Sequence, residues 1–330
     1  MNKKKIILLC VVLVLVVAAT VLLAVFMPDI KMNINAGRYT FETANLAASA
    51  DRVYFLDTGS SDAILIESDG KFALIDAAED SDNPRNFESL VFEGREEYVV
   101  DRVKKYAGDE NGKVVLEFIL GTHSHSDHIG GFDTLILDED ITVKTAYLKE
   151  YDESRIREYE IVSWDNKEVY EQMLDACEKR GVPVVHDIPA EPFGFGNLTL
   201  QFCNTETTPA EEGVGENENA VGLLIEKNET RVFLAADINN LDGDEDRLAE
   251  QLGKVDLLKV GHHGYDGSST EGFINALSPD IAVVTNNKGG ISNTPLKNLN
   301  RVKAAVYETG KYGDIIAAIA EDGIHLQLTE

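Results

Sequence analysis

The chain has 330 residues and a formal net charge of −28, with 30 Lys and Arg against 58 Asp and Glu. This length allows one large domain or two small ones, and a hydrophobic content of 44% is sufficient for a packed core. The negative charge argues against a nucleic-acid-binding surface, because it repels a polyanionic backbone and weakens the counterion release that drives such binding.

The N-terminal segment is typical of a membrane anchor. Lys3, Lys4 and Lys5 precede an apolar run, Ile6–Met27, that only Thr20 interrupts. At 1.5 Å per residue, a helix of this length crosses a hydrocarbon core of about 30 Å. Because cytoplasmic flanks of membrane helices are rich in lysine, we expect a single-pass protein of the cell membrane whose remaining chain lies outside the cell.

Two alternatives to an uncleaved anchor stay open. A cleaved signal peptide has a shorter apolar region of about 7–15 residues and ends in a small-x-small site, which Leu23–Met27 does not offer. Lipidation of Cys10 is the other alternative. The mixed, polar composition of residues 28–50 predicts a linker. The predicted organisation is therefore an anchor over 1–27, a linker over 28–50 and a globular domain over 51–330.

The globular part alternates short β-rich runs with helical stretches. Apolar runs bounded by turn residues predict strands, in chain order, over Val53–Leu56, Ala63–Glu67, Phe72–Ile75, Val114–Leu120, Thr142–Leu148, Val184–Ile188, Leu198–Phe202, Val221–Glu226, Arg231–Ala235, Leu257–Val260 and Ile281–Thr285. Helical periodicity and end signals predict helices over Glu97–Tyr106, Lys167–Lys179, Glu245–Leu252, Glu271–Ala276 and Pro295–Glu308. Two β-rich halves with helices outside predict an α/β fold, a four-layer αβ/βα sandwich with the functional loops at one edge of both sheets.

One loop holds three of the seven histidines and an aspartate within six residues: His123, His125, Asp127 and His128. Neutral imidazoles and an ionised aspartate are the donors that a borderline cation such as Zn²⁺ takes. A helix would scatter these four side chains, so the spacing indicates a loop after the preceding strand. The pair Gly130 and Gly131 then allows close backbone packing. A solvated polar loop is the alternative interpretation.

Further candidates for a metal site follow other predicted strands. Asp76 and Asp237 each end a strand, although a single aspartate in such a place is typical of a turn or cap. His262 and His263 follow a buried-looking strand in a turn flanked by glycine. Paired histidines in a loop favour metal binding or acid–base chemistry over packing.

Together, these residues resemble the metallo-β-lactamase superfamily, since His123–His128 is similar to its H-x-H-x-D-H signature. Within that superfamily, three segments resemble the extracellular domain of competence-type DNA-uptake proteins: Phe55–Ile66, Asn217–Val221 and His262–Gly264. Others resemble the catalytic domain of the pneumococcal teichoic-acid phosphorylcholine esterase: Ala73–Asp76, Glu79–Asp80, Tyr151–Ile156 and Trp164–Asn166.

The resemblance implies a pair of divalent metal ions. Its ligands are His123 and His125 on the first ion, Asp127 and His128 on the second, Asp237 bridging both, and one of His262 and His263 completing the second. A third histidine usually binds the first ion, whereas here Asn217 or Asn219 occupies that stretch, and Asp76 is a further candidate ligand or supporting residue. We expect Zn²⁺ at these imidazole and carboxylate donors. Because an amide oxygen is a weaker donor, Mn²⁺ is the alternative. The remaining histidines, His186 and His325, are predicted to be structural.

Such a metal pair implies hydrolysis by a bridging hydroxide, with Asp127 and Asp237 as catalytic residues. Trp164 and Tyr151, with Tyr159 and Tyr170, are candidates for an aromatic substrate wall that binds a quaternary ammonium group by cation–π attraction. The alternative is that each is an ordinary core or surface aromatic. The acidic surface also suits a cationic or zwitterionic head group.

The sequence therefore predicts an extracellular, membrane-anchored di-metal hydrolase. The specific hypothesis is a phosphodiesterase that acts on a small-molecule or cell-wall phosphoester, such as phosphorylcholine-bearing teichoic acid. An extracellular nuclease, with nucleic acid as its partner, is the enzymatic alternative. A non-catalytic module that binds metals for structural reasons is the alternative from another class.

Overall fold

The computed structural model describes residues 3–41, 51–81, 93–206 and 215–329. The helices are α1 (Lys3–Ala36), α2 (Glu96–Ala107), α3 (Ser126–Ile129), α4 (Phe132–Leu137), α5 (Glu158–Ser163), α6 (Asn166–Arg180), α7 (Asp244–Leu252), α8 (Glu271–Leu277), α9 (Asn293–Val302) and α10 (Thr309–Tyr312). The strands are β1 (Asp51–Phe55), β2 (Ile64–Ser68), β3 (Lys71–Ile75), β4 (Val114–Gly121), β5 (Ile141–Val143), β6 (Ala146–Leu148), β7 (Val184–Val185), β8 (Phe193–Phe195), β9 (Leu198–Cys203), β10 (Gly222–Lys227), β11 (Thr230–Leu234), β12 (Leu257–Lys259), β13 (Ile281–Asn287), β14 (Ala305–Glu308), β15 (Ile315–Ala320) and β16 (Gly323–Leu328).

The strands form two mixed sheets. The first has the order β16-β15-β1-β2-β3-β4-β6-β7, with β5 also paired to β4, and the second has the order β14-β13-β12-β11-β10-β9-β8. In the first sheet β3, β4, β6 and β7 run parallel. In the second, β11 to β14 run parallel. Parallel strands bring the turns that follow them to one sheet edge, so each sheet contributes a cluster of loops there.

Successive side chains of a strand point to opposite faces of its sheet, and the apolar ones form three separate clusters. Phe55, Phe118 and Leu234 belong to a cluster between the two sheets. A second cluster packs α2, α4 and α6 on the outer face of the first sheet, and a third packs α7, α8 and α9 on the outer face of the second. This arrangement confirms the predicted four-layer sandwich, because helices cover both outer faces. Cys177 and Cys203 are free thiols buried in different clusters.

Three predicted elements differ from the structure. The single strand predicted over Thr142–Leu148 is two short strands, β5 and β6, which pair with different parts of β4. The helix predicted over Pro295–Glu308 ends at Val302, where Lys303 adopts a left-handed φ of 63°, and Ala305–Glu308 is instead β14, paired with β13. The apolar periodicity continued across this junction, which hid the change from helix to buried strand. The strand predicted over Val184–Ile188 is reduced to the two residues of β7.

The N-terminal helix extends past the predicted anchor. Among the described residues, no single helix meets the length and hydropathy needed to cross a membrane, but Cys10–Leu22 and Phe26–Ala36, bent by 46°, meet them together. The sequence predicted a linker from residue 28, whereas α1 continues through Pro28 to Ala36. Residues 42–50 of that linker lie outside the described residues.

The end of α1 packs on the globular domain. Met32 and Ala36 are buried and join the clusters of the sandwich. Asn300 Nδ2 donates to the Pro28 carbonyl at 3.0 Å, and Tyr307 Oη donates to the Ala36 carbonyl at 2.8 Å. These contacts explain why the segment is helical despite its polar composition, since tertiary packing overrides local preference.

Replacing Met32 with Ala tests this packing. We expect Met32→Ala to lower the free energy of unfolding by about 2 kcal/mol, because it removes a buried side chain from a packed contact. Ile34→Ala is the matched control in the same helix, since Ile34 is 67% exposed. Thermal unfolding of the detergent-solubilised chain, followed by circular dichroism, measures both. Equal stability of the two variants would show that the segment is a linker.

Candidate metal centre

The candidate ligands lie where strands of both sheets end. Asp76 follows β3 and the histidine loop follows β4, whereas Asp237 follows β11 and His262 and His263 follow β12. The parallel pairs β3/β4 and β11/β12 present these turns at the same edge. The site is therefore built from one segment of each sheet, and these two segments are far apart in sequence.

The histidine loop has two parts. His123 and His125 lie in an extended segment, while Asp127 and His128 lie on α3, a single helical turn that the sequence did not predict. A Cβ on Gly131 would overlap the Ala77 carbonyl oxygen. The glycine therefore permits the close backbone approach that the sequence indicated.

Imidazole and carboxylate groups meet around Asp237 and Asp127. His128 Nε2 and His263 Nε2 lie 3.2 and 3.4 Å from Asp237 Oδ1, and His263 Nε2 lies 3.4 Å from Asp127 Oδ2. His123 Nε2 lies 3.0 Å from His125 Nδ1. Four sets of potential ligand atoms lie within 4.8 Å of one another among the described residues. One combines His123, His128 and Asp237, and another combines Asp127, His128 and His263. The other two include the buried Asp62, either with Asp237 and His263 or with Asp76 and His128.

The chemistry of this cluster fits a divalent metal ion. Within the part of the chain that the structure describes, His128 Nε2, His263 Nε2 and Asp237 Oδ1 are buried and lack a hydrogen bond of acceptable geometry. Unsatisfied buried polar atoms of this kind are costly, and a cation that all three face would satisfy them. Burial by itself would raise the pKa of Asp237, but His263 and His128 hold it well below its usual range.

The two adjacent histidines have different environments. His263 is buried and faces Asp127 and Asp237. His262 is 30% exposed, with Nε2 at 3.3 Å from Asn217 Nδ2 and 3.8 Å from Asp237 Oδ2. The geometry therefore favours His263 as the ligand beside Asp127 and places His262 at the rim.

The two asparagines that are candidate ligands, Asn217 and Asn219, also have different environments. Asn217 faces the site through its contact with His262, whereas the Nδ2 of Asn219 is buried and donates to Glu216 Oε1 at 3.0 Å. Asn217 is thus the amide that remains a candidate for the first ion, and Asn219 supports the turn that carries it.

Asp76 lies behind the ligands. It accepts hydrogen bonds from Thr122 N at 2.8 Å and Thr122 Oγ1 at 2.9 Å, and its Oδ2 lies 2.7 Å from His128 Nδ1. Burial raises the pKa of Asp76, and the neighbouring His128 opposes that rise. A carboxylate on Nδ1 fixes the imidazole so that Nε2 faces the cluster, which is a supporting role.

The comparisons with known proteins agree with this geometry. The profile described as β-lactamase superfamily domain matches residues 104–273, which is more than half of the chain. The chain belongs to the metallo-β-lactamase superfamily. The metallo-β-lactamase fold protein YhfI from Bacillus subtilis shares its fold, with a TM-score of 0.50 and 13% identity over 81% of this chain and 99% of that one.

Two curated relatives match part of this chain. Recombination protein 2 of Haemophilus influenzae is 23% identical over 65% of this chain, and ComE operon protein 3 of Bacillus subtilis is 26% identical over 61%. The match spans 24% of the length of each relative. The superfamily implies divalent metal binding, for which the His and Asp cluster provides candidate ligands.

A buried ion pair lies next to Asp237 at the candidate metal centre. Lys259, the last residue of β12, is fully buried and pairs with the buried Asp62. Its Nζ also donates to the Ala236 carbonyl at 2.9 Å and lies 3.9 Å from Asp237 Oδ1. Burial by itself would raise the pKa of Asp62, but Lys259 and His263 hold it well below its usual range. The sequence analysis missed this pair, although a lysine inside an apolar strand was a signal.

A second carboxylate orients His125. Glu160 Oε1 lies 2.9 Å from His125 Nε2 and also accepts from Asn166 Nδ2 and the Glu216 backbone N–H, both at 3.0 Å. Burial by itself would raise the pKa of Glu160, but the hydrogen bond from His125 holds it below its usual value. With its proton on Nε2, His125 keeps the Nδ1 lone pair toward His123. Sequence reasoning missed Glu160 because α5 approaches the loop only in the folded chain.

The cluster opens into a pocket of about 300 Å³, here called the metal pocket. Its lining residues are Ser60, His125, Asp127, Arg157, Tyr159, Glu160, Trp164, Asn217, Asp237, His262, His263 and Tyr265. The pocket gives a small molecule or a chain end access to the candidate ligands.

The structure places only some of the predicted wall aromatics at the metal pocket. Trp164 lines the metal pocket, and Tyr159 lies beside it with ring centroids 5.8 Å apart at 66°. Tyr151 lies elsewhere, because it packs on the buried Tyr170 at 5.9 Å and lines a separate cleft with Arg155. The sequence could not separate these aromatics, since they lie within one short stretch.

The remaining histidines lie outside the metal pocket. His186 Nδ1 lies 2.8 Å from the Leu148 carbonyl, and His325 Nε2 lies 2.8 Å from Asp322. Neither contributes to the ligand sets found among the described residues.

Removing Lys259 should destabilise the domain strongly. We expect Lys259→Met to cost about 3–5 kcal/mol of unfolding free energy, because the charge of Asp62 would then be buried without its partner. Adding Asp62→Asn should restore much of the loss. Lys254→Met is the control, since Lys254 and Asp280 form an exposed pair worth at most about 1 kcal/mol. Urea unfolding measures each variant, and additive losses in the double variant would contradict the pairing.

Proposed function

We propose that this protein is a metal-dependent phosphodiesterase that acts on a component of the cell envelope, such as phosphorylcholine-bearing teichoic acid. The observation that carries the proposal is the aromatic corner of Tyr159 and Trp164 beside the candidate metal ligands. Two rings at a steep angle suit a quaternary ammonium group, which binds aromatic faces by cation–π attraction. The acidic character of the chain favours the same class of head group.

The residues that would hold two metal ions form two groups around Asp237. His123 and His125, with Asn217 as a candidate third donor, would hold one ion, and Asp127, His128 and His263 the other. The ligand atoms of His123 and His128 also lie within 4.8 Å of each other and of Asp237, so the two groups adjoin there. Zn²⁺ suits these donors, and Mn²⁺ is the alternative because of the amide. When bound, such ions supply an activated water and stabilise negative charge that develops on oxygen.

The chain contributes position and charge. Asp76 and Glu160 hold the imidazoles of His128 and His125 in fixed orientations. Asp237 presents both carboxylate oxygens to the imidazoles, because Ala236 before it turns into a left-handed conformation with φ 47°. The walls of the metal pocket then limit the position of a substrate relative to these groups.

An extracellular nuclease is the second candidate function. It is favoured by the match to Recombination protein 2 and ComE operon protein 3, which covers about a quarter of each. The charge of −28 disfavours it, because a DNA backbone would be repelled outside the immediate surroundings of the metal ions.

Activity on a substrate panel tests the proposal. The panel contains p-nitrophenylphosphorylcholine, bis-p-nitrophenyl phosphate, single-stranded DNA and a β-lactam. We expect hydrolysis of the first two, with a loss of more than about 100-fold in kcat/KM for Asp127→Ala, which exceeds the loss typical of removing a supporting residue. Asp175→Ala, on the exposed face of α6, is the control.

Metal content of the same preparations completes this test. We expect about two ions per wild-type chain, as in other two-metal hydrolases. Cleavage of DNA alone, lost in Asp127→Ala, would establish the nuclease instead. Bound metal without turnover of any of these substrates would contradict the proposal and favour a non-catalytic module.

We further propose that α1 anchors the protein in the cell membrane with the hydrolase domain outside. Support comes from the exposed apolar side chains along Val11–Leu22 and the three lysines that precede them. Protease added to intact protoplasts should digest the domain, as an immunoblot would show. A domain that is digested only after lysis would place it in the cytoplasm.

A further inference from the structure

The metal pocket has an uneven distribution of charge. Among the described residues that line it, Arg157 is the sole arginine or lysine, while Asp127, Glu160 and Asp237 contribute carboxylates. Asp127 and Asp237 belong to the candidate metal ligands, and Glu160 is engaged with His125. A guanidinium in this position has no part in the metal cluster described above.

The structure holds Arg157 at the rim without burying it. Arg157 directly precedes α5, and its Nη2 lies 3.6 Å from Glu218 Oε1. Glu218 is buried and accepts a hydrogen bond from Gly215 N at 2.9 Å, so its carboxylate is fixed. The Arg157 side chain remains 42% exposed. A guanidinium has five N–H donors, so contact with one carboxylate leaves donors for a ligand.

We propose that Arg157 binds a non-bridging oxygen of the substrate phosphate and thereby selects anionic phosphodiesters over uncharged esters. This inference rests on the proposed function and specifies that the metal pocket recognises the negative charge of the substrate phosphate. A planar guanidinium matches the geometry of phosphate oxygens and forms charge-assisted hydrogen bonds with them. An uncharged ester offers a weaker acceptor and no net charge to attract.

The aromatic residues complete the recognition. Tyr159 lies two residues after Arg157 and is 71% exposed, and Trp164 lies at the other end of α5. A phosphodiester with its phosphate at Arg157 therefore has an apolar surface within the same short segment for its organic group. The segment from Arg157 to Trp164 would bind both parts of one substrate.

The single tryptophan of the chain provides a direct readout. Trp164 lines the metal pocket, so its fluorescence reports occupancy there alone. The full-length, metal-loaded protein is titrated with methyl phenyl phosphate, a monoanionic diester, and with dimethyl phenyl phosphate, its uncharged triester. Wild type is compared with Arg157→Gln and with Arg155→Gln, a matched control whose arginine pairs with Asp152 away from the metal pocket.

We expect Arg157→Gln to raise the Kd for the diester about tenfold, the effect of losing one charge-assisted hydrogen bond at a partly exposed site. The triester should bind equally to all three proteins, and Arg155→Gln should match wild type with both ligands. The inference is overturned by a wild type without saturable diester binding, by diester binding to Arg157→Gln within twofold of wild type, or by an equal loss for the triester.

Hydrolysis of bis-p-nitrophenyl phosphate separates this inference from the proposed function. Binding of the diester that depends on Arg157, without turnover by wild type, would refute the phosphodiesterase and retain the anion site. Turnover by wild type with unchanged KM and unchanged binding in Arg157→Gln would retain the phosphodiesterase and refute the role of Arg157. With both correct, Arg157→Gln raises KM more than it lowers kcat, because Arg157 binds the ground state as well.

Discussion

The structure depends on the balance of charge in one desolvated space between the two sheets. Each buried carboxylate there requires an opposite charge, since an unpaired buried ion costs several kcal/mol. Lys259 supplies that charge to Asp62, and His128 contacts Asp76. Asp237 faces the Nε2 atoms of His128 and His263, which lack a hydrogen bond of acceptable geometry among the described residues. The protein alone leaves this part of the cluster incomplete, which is the condition that favours divalent cations.

The backbone around the cluster is held in unfavourable conformations. Asp76, Ala236, His262 and His263 all have left-handed φ values between 47° and 58°. For residues other than glycine, each such conformation costs on the order of 1–3 kcal/mol and persists only where the surroundings determine it. The strands that precede these residues are central members of their sheets, so they provide that support. Strained backbone therefore occurs at or directly beside the candidate ligands, and its persistence depends on the rigidity of the sheets.

Local patterns in the sequence were sufficient for most of the strands and for the clustered donors of the histidine loop, although not for β8, β14 or the helical turn α3. Alternating apolar residues identify strands because one face is buried, and clustered donors identify a metal site by composition. The contacts of Lys259 and Glu160 could not be predicted, because their partners are distant in sequence and no local period encodes the pairing. For the same reason the docking of Met32 was missed, since a helix that is stabilised by tertiary contacts carries a weak signal of its own.

The short helix α5 links the candidate metal ligands to the wall of the metal pocket. Glu160 on this helix contacts His125, and the flanking Arg157 and Trp164 line the metal pocket. Asn166 and the backbone of Glu216 fix the same carboxylate, so α5 cannot shift without disturbing His125. Substitutions in α5 that alter the pocket wall would thus also alter metal binding unless they preserve this hydrogen-bond network. Among the described residues that line the metal pocket, Tyr159 and Arg157 contribute no side-chain hydrogen bond to this network, so changes to their side chains can alter the pocket wall without removing one of its bonds. Trp164 is different, because its ring stacks on His125 with centroids 6.2 Å apart.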